Sequence, residues 1–266
     1  MRIITRGDEP AELAVVGSLH ADEREGAEAI NRLIPQLSVS RPTKFLVVTD
    51  SQQDTPGRES DPDLNRVFGK SGDTAVHEIA EEVLDEVGDC RVLDLHTTEA
   101  TDEPFAILQQ ITDTKRELAA ITGVDRVVDA SELDDGLVAQ VEGVAVECGL
   151  KHDGPDVNDA SVETACKVTR RFLAANDATD GEQVRSDPTV YRIYDTISRP
   201  ATEGELVIRV ENFERVETGE EWLETDGKRR VASESFCPVL LSPSGYDDKL
   251  GYKAERVGAL SEYRGE

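Results

Sequence analysis

Cysteine, histidine, tryptophan and methionine are all scarce in this 266-residue chain, with four, four, one and one copies. Cys90, Cys148, Cys166 and Cys237 stand far apart and form no CxxC pair, which excludes a zinc ribbon and a disulfide framework. They read as reduced, mostly buried thiols. Long apolar runs are missing too: nothing approaches the roughly 18–20 residues of a membrane span. The opening MRIITRGDEP lacks the apolar centre of a signal peptide. The expectation is therefore a soluble, cytoplasmic protein with no membrane partner.

Positive charge is the next shortage. Twenty-nine basic residues face 56 acidic ones, a formal charge of -27. Such a surface repels polyanions, which argues against nucleic acid as a partner. The acids are interleaved with apolar positions, as in TAVHEIAEEVLDEVGD, so disorder is a poor explanation. Arginine dominates lysine, 21 to 8. With the acid excess this points to a high-salt cytoplasm, where screening makes the surface tolerable. Association into a homo-oligomer is compatible with these features.

What is present is an alternation. AELAVVGSL, KFLVVTD, CRVLDLHT, FAILQQ, VDRVVDAS and EGVAVECG are short, rich in Val, Ile and Leu, and read as strands. ADEREGAEAINRLIPQL, TAVHEIAEEVLDEV and DASVETACKVTRRFLAAN carry apolar residues three or four apart and read as helices. The pattern implies an α/β fold, a parallel or mixed sheet flanked by helices. The polar, turn-rich NDATDGEQVRSDP sets a boundary, dividing a first domain over 1–186 from a β-rich one over 187–266. In the second, TVYRIYDTISRP, GELVIRVENFERV and RRVASESFCPVLLSP read as strands, with turns at Glu203-Gly204 and Asp226-Gly227.

In sheets of this kind chemistry collects just beyond the carboxyl ends of strands. His20 follows AVVGSL, and Glu23 lies three residues on, a spacing that lets an imidazole and a carboxylate share one metal ion. His96 ends RVLDLH, and a neighbouring parallel strand would bring it beside His20. Three ligands with a fourth place open is how catalytic zinc sites are built. Asp94 shares the strand face of His96 and is a candidate to orient one of the metal-binding imidazoles. HxxE alone is a common pairing in so acidic a chain. His77 and His152, in a helix and a polar loop, read as structural or solvent-facing. HExxH, the helix-borne metalloprotease motif, is absent.

Four segments in order change the balance: GSLHADEREG at 17–26, GRESDPDLNRVF at 57–68, DLHTT at 94–98 and VAVECG at 144–149. Together they resemble the successive motifs of the aspartoacylase and succinylglutamate desuccinylase family, within the clan of zinc carboxypeptidases. The resemblance implies a zinc-carboxypeptidase-like mixed sheet with one Zn2+ held by His20, Glu23 and His96. It implies that Asn65 and Arg66 grip the substrate carboxylate, that Arg58 supports the oxyanion, and that Glu147 is the catalytic carboxylate. A guanidinium fork suits a carboxylate's two oxygens, and a glutamate in the buried-looking run VAVECG needs a reason to be there. In PVLLSPSGYDDK, Tyr246 resembles a tyrosine that reaches back to the substrate.

The implied activity is hydrolysis of the amide bond of a small N-acyl amino acid. Two alternatives stay open: a metallocarboxypeptidase acting on peptides, and a non-catalytic homologue that binds a metal or a small ligand. Two departures bear on specificity. The family's HGNE is His20-Ala21-Asp22-Glu23 here. In addition, Val127–Val146 contains no Arg or Lys where aspartate-specific members place a further arginine.

Overall fold

A computed structural model describes residues 1–8, 10–49, 62–133, 136–154, 156–181, 183–201, 204–244 and 248–265. All six strands expected in the first 150 residues form: β2 (Leu13–Gly17), β3 (Thr43–Val47), β4 (Arg91–Thr98), β5 (Phe105–Leu108), β6 (Arg126–Asp129) and β7 (Glu142–Leu150), preceded by an added β1 (Arg2–Arg6). The three expected helices are α1 (Glu25–Leu33), α2 (Ala75–Val87) and α5 (Asp159–Ala175). Between them lie α3 (Asp113–Thr122) and the single turn α4 (Leu137–Gln140). Further on come β8 (Thr189–Ser198), β9 (Leu206–Ile208), β10 (Glu221–Thr225), β11 (Lys228–Val231), β12 (Cys237–Val239) and β13 (Lys249–Ala259).

The main sheet has ten strands in the order β1-β3-β2-β4-β7-β5-β6-β8-β13-β12, and β11-β10-β9 make a small antiparallel sheet. The main sheet is mixed, as expected. β3, β2, β4 and β7 run parallel, β5 turns antiparallel to β7, and β6 and β8 run parallel to β5. β8, β13 and β12 thus continue the sheet begun by the first half of the chain. Asp226 (φ 53°) and Gly227 (φ 70°) close the β10–β11 hairpin at the turn expected there. Glu203, in the other expected turn, lies outside the described residues. No helix among the described residues is long and apolar enough to cross a membrane.

Strand alternation decides what each sheet face does. Leu93 and Leu95 of β4, Val144 and Val146 of β7, and Ala106 and Leu108 of β5 enter one core with residues of α1, α3 and α5. The opposite face is covered in two separate places. Val76, Ala80, Val83 and Val87 of α2 pack there with Ala14, Val16, Leu46 and Val92. Beyond β7, residues of β5, β6, β8, β12 and β13 form another cluster with Phe213. Between the two clusters the middle of the face stays open, and there β4 and β7 present Asp94, His96, Ala145 and Glu147.

The end of β2 is pinned to the start of α1 by two glycines. A Cβ on Gly17 would lie 2.7 Å from the carbonyl carbon of Gly26, and one on Gly26 would lie 3.1 Å from the Cα of Gly17. Both contacts involve backbone, which cannot swing aside. Gly17→Ala should therefore lower stability by about 1–3 kcal/mol, the usual cost of overpacking. Urea unfolding at fixed salt measures this, and an unchanged midpoint would rule out the close approach.

Candidate metal centre

The chain leaves β2 through a tight turn. Ser18 adopts φ 52° without being glycine, a sparsely populated conformation that the surroundings must hold. They do so with three hydrogen bonds: Ser18 Oγ donates to the Glu23 carbonyl at 2.8 Å, and the Ser18 carbonyl accepts from Thr49 Oγ1 at 2.7 Å and from Thr49 N at 2.9 Å. The Glu23 amide then donates to the His20 carbonyl at 3.2 Å. This folds the two side chains toward one another just before α1 begins. β4 lies beside β2 with Gly17 level with Leu95, so His96 arrives one residue beyond that pairing.

His20, Glu23 and His96 are all buried and offer three ligand atoms within 4.8 Å of one another. His20 Nδ1 lies 3.0 Å from Glu23 Oε1, His96 Nδ1 lies 2.9 Å from Glu23 Oε2, and the rings meet edge-on with centroids 5.6 Å apart. The far nitrogens are held as well. His96 Nε2 lies 2.8 Å from Asp94 Oδ2, and His20 Nε2 lies 3.0 Å from Asp63 Oδ1. Each imidazole is thus anchored at Nε2 by a carboxylate and presents Nδ1 to the shared glutamate. That arrangement fixes ring orientation in metal sites.

Electrostatics favour a cation here. Burial pushes the His96 imidazolium toward losing its proton, but Asp94 and Glu23 outweigh it and hold the pKa well above the usual histidine value. Burial pushes the Asp63 carboxyl up, yet His20 and Arg66 bring it below the ordinary aspartate value. Two imidazoles meet three carboxylates, and a divalent ion at the Nδ1 side would balance charge that a proton balances only in part. The donor set, nitrogen and carboxylate oxygen, suits zinc and neighbouring transition metals.

Glu147 stands on β7 directly level with His96 of β4, so the two side chains share a face, and only 6% of Glu147 is exposed. Asp63 caps the 3₁₀ turn Leu64–Arg66 by accepting from the Asn65 amide at 2.7 Å. The Asn65 side chain accepts from the Leu137 amide at 3.0 Å, tying this turn to α4. His20, Asp63, Asn65, Arg66, Asp94, His96 and Glu147 all line one cleft of about 720 Å³, its open mouth included. Of the residues picked out in the sequence, Arg58 and Tyr246 lie outside the described residues. His77 is bound to Thr74 at the start of α2, and the His152 amide donates to Glu25 in an exposed loop; neither belongs to the cleft.

The motifs did not point to Asp63 as the second imidazole anchor, although it stands inside DLNR. Gln109 and Lys115 were missed as well. Gln109 lines the cleft, with its side-chain amide donating to the Leu133 carbonyl. Buried Lys115 donates to the carbonyls of Gln109 at 2.8 Å and Val138 at 2.7 Å, and burial lowers its pKa. A lysine three residues into a helix looks like a surface residue in sequence.

Fold and cleft together define an α/β protein built around a buried two-histidine, one-glutamate centre at the end of parallel strands. Residues 10–129 match the family model of the succinylglutamate desuccinylase/aspartoacylase catalytic domain, so the resemblance carried by the motifs holds over that stretch. Solved structures extend the likeness in fold to nearly the whole chain. A succinylglutamate desuccinylase/aspartoacylase from Rhodobacter sphaeroides shares 17% identity over 96% of this chain and 89% of that one, with a TM-score of 0.72. Murine aminoacylase 3 shares 18% over 94% and 97%, with a TM-score of 0.72. The product-bound ectoine utilization protein of Ruegeria pomeroyi shares 18% over 96% and 88%, with a TM-score of 0.71. No curated protein matches the chain by sequence.

Proposed function

We propose that the protein is a zinc-dependent hydrolase that cleaves the amide bond of a small N-acyl amino acid. The observation that carries this reading is the convergence of His20, Glu23 and His96, each imidazole anchored by a carboxylate, with Glu147 beside them. His20, Glu23 and His96 would hold the ion, whose chemistry when bound is to polarise the scissile carbonyl and to acidify water. Glu147 takes the proton from the attacking water and returns it to the leaving amine. Asp94 and Asp63 hold the imidazoles in place. Arg66 and Asn65 anchor the substrate carboxylate, which converts a chance encounter into an oriented one. Arg58 and Tyr246 are proposed for the oxyanion and the substrate on the strength of the motifs alone.

Residues 1–186 then carry the reacting groups, while 187–266 cap the cleft. Ile193, Leu240 and Tyr252, which line the cleft, support a part for the second stretch in shaping the site. Metal analysis with a panel of N-acyl amino acids and C-terminal peptides at multimolar salt tests the reading. About one zinc per chain and release of amino acids from the small amides, lost on chelation and restored by zinc, is the expected result. A zinc-loaded protein inert toward the amides, or active only on peptides, would refute it.

A further inference from the structure

The cleft changes character along the sheet. Its metal end, on β2, β4 and β7, is polar and acidic. Past Glu147 the same face is carried by strand neighbours in register: Ile107 of β5 pairs with Ala145 of β7 and with Val128 of β6. Val128, Ala130, Ile193 and Tyr252 belong to the apolar cluster on this face, and among the described residues three half-buried aliphatic side chains pack on that cluster: Ile107, Leu133 and Leu240. All three line the cleft. The aliphatic surface that this cluster leaves uncovered is therefore turned into the site.

The wall is built, not incidental. Leu240 is held at φ 53°, a conformation a non-glycine residue adopts at a cost. Asn212 clamps the next residue, accepting from the Leu241 amide at 2.8 Å and donating to its carbonyl at 3.0 Å, and donates to the Ala100 carbonyl at 2.9 Å. Gly251 admits this segment: a Cβ there would lie 2.7 Å from the Leu240 carbonyl oxygen.

Cations are short at this end. Among the described residues lining the cleft, Arg66 is the one lysine or arginine. Lys115 is committed to two carbonyls, and Lys249, over the Tyr252 ring at 5.1 Å, is not a lining residue. The stretches outside the described residues contain one basic residue, Arg58. With Arg66 on the substrate's carboxylate and Arg58 assigned to the oxyanion, a second carboxylate would face aliphatic carbon and the carboxylates of Asp94 and Glu147, stripped of water with no further cation among the described residues lining the cleft.

Resting on the amidohydrolase reading above, we propose that the substrate carries an uncharged apolar group on this wall, either the amino acid's side chain or the acyl chain, and that dicarboxylic substrates are rejected. Each methylene in such a pocket discriminates about 10–200-fold. The test uses the zinc-loaded Glu147→Gln chain for binding and the wild type for turnover. The ligands are N-acetylglycine as reference, N-acetylleucine and N-acetylphenylalanine for the side-chain arm, N-hexanoylglycine for the acyl arm, and N-acetylaspartate and N-succinylglutamate for the dicarboxylic arm. One apolar arm should bind at least about tenfold tighter than N-acetylglycine, and both dicarboxylates more weakly than it. Ile107→Ala, at a half-buried position outside the tight core, should cut the ratio of apolar to glycine binding about tenfold. Equal or tighter binding of a dicarboxylate, or no binding by any ligand, overturns the proposal. Apolar-selective binding without wild-type turnover of any amide would leave the subsite standing and remove the hydrolase reading instead.

Discussion

Replacing Glu147 by glutamine should leave zinc bound and lower kcat by about 10²–10⁴-fold, the range that one positioned proton acceptor supplies. The reasoning starts from register. β4 and β7 are parallel neighbours with His96 level with Glu147, so the carboxylate lies beside the ligand group without belonging to it. Glutamine has the same shape and can still hydrogen-bond, but it cannot accept a proton. The loss should therefore fall on kcat, with KM close to wild type, because ground-state contacts survive. Folding should survive too, since the change removes a buried charge and leaves the volume unchanged. Wild-type turnover by the glutamine variant at full zinc occupancy would end the assignment of Glu147 as the base. Wild-type turnover in Glu147→Ala would end any chemical role for the position.

The parts of the molecule legible in sequence are those whose signal is local. Continuous Val and Leu runs marked β2 to β7 because strands buried on both faces must be apolar throughout. α1, α2 and α5 showed through their 3.6-residue periodicity. β13 did not: KLGYKAERVGA mixes charges with Gly251 and Gly258, and its place beside β8 is set by long-range pairing with three register shifts. α3, DTKRELAAIT, was hidden because one buried face is made of Lys115, Leu118, Ala119 and Thr122, a mixed set rather than an aliphatic stripe. Its ends still follow local rules: Thr112 accepts from the Lys115 amide, and Gly123 ends the helix at φ 72°.

The candidate site divides in the same way. His20, Glu23 and His96 stood out by motif order, and Asp94 by strand parity with His96. Asp63 serves the same purpose for His20 across 43 positions, a contact that no periodicity encodes. The apolar wall was invisible for a related reason. Ile107, Leu133 and Leu240 are ordinary core residues in sequence, and only the pairing of β5 with β7 and β6 turns the first of them toward the cleft. What the sequence did supply was the missing basic residue in Val127–Val146, and in the structure Val128, Ala130 and Leu133 of that stretch line the cleft with aliphatic carbon instead.

On the proposed reading, His96→Ala should abolish stoichiometric zinc binding and, with it, hydrolysis, because it removes one of the three proposed ligands. Asp94→Asn, which keeps all three ligands, should weaken zinc about 10–100-fold, the usual effect of losing a carboxylate that orients a liganding imidazole. Competition against a chelator of known affinity separates the two, and full zinc occupancy in His96→Ala would dismiss the ligand set. A pH arm adds a readout that loss of packing would not mimic. In the stripped wild type, the proton on His96 is the positive charge held between Glu23 and Asp94. Its folded pKa lies above the unfolded value, so its contribution is complete below the unfolded pKa of about 6.5 and drains away as pH rises through the folded pKa. Zinc replaces that charge and needs the imidazole deprotonated, so its stabilisation grows in the same direction. The difference in Tm between loaded and stripped protein should therefore widen with rising pH in the wild type and vanish at every pH in His96→Ala. A gap that narrows with rising pH would mean that the two imidazoles and Glu23 answer to something other than a metal.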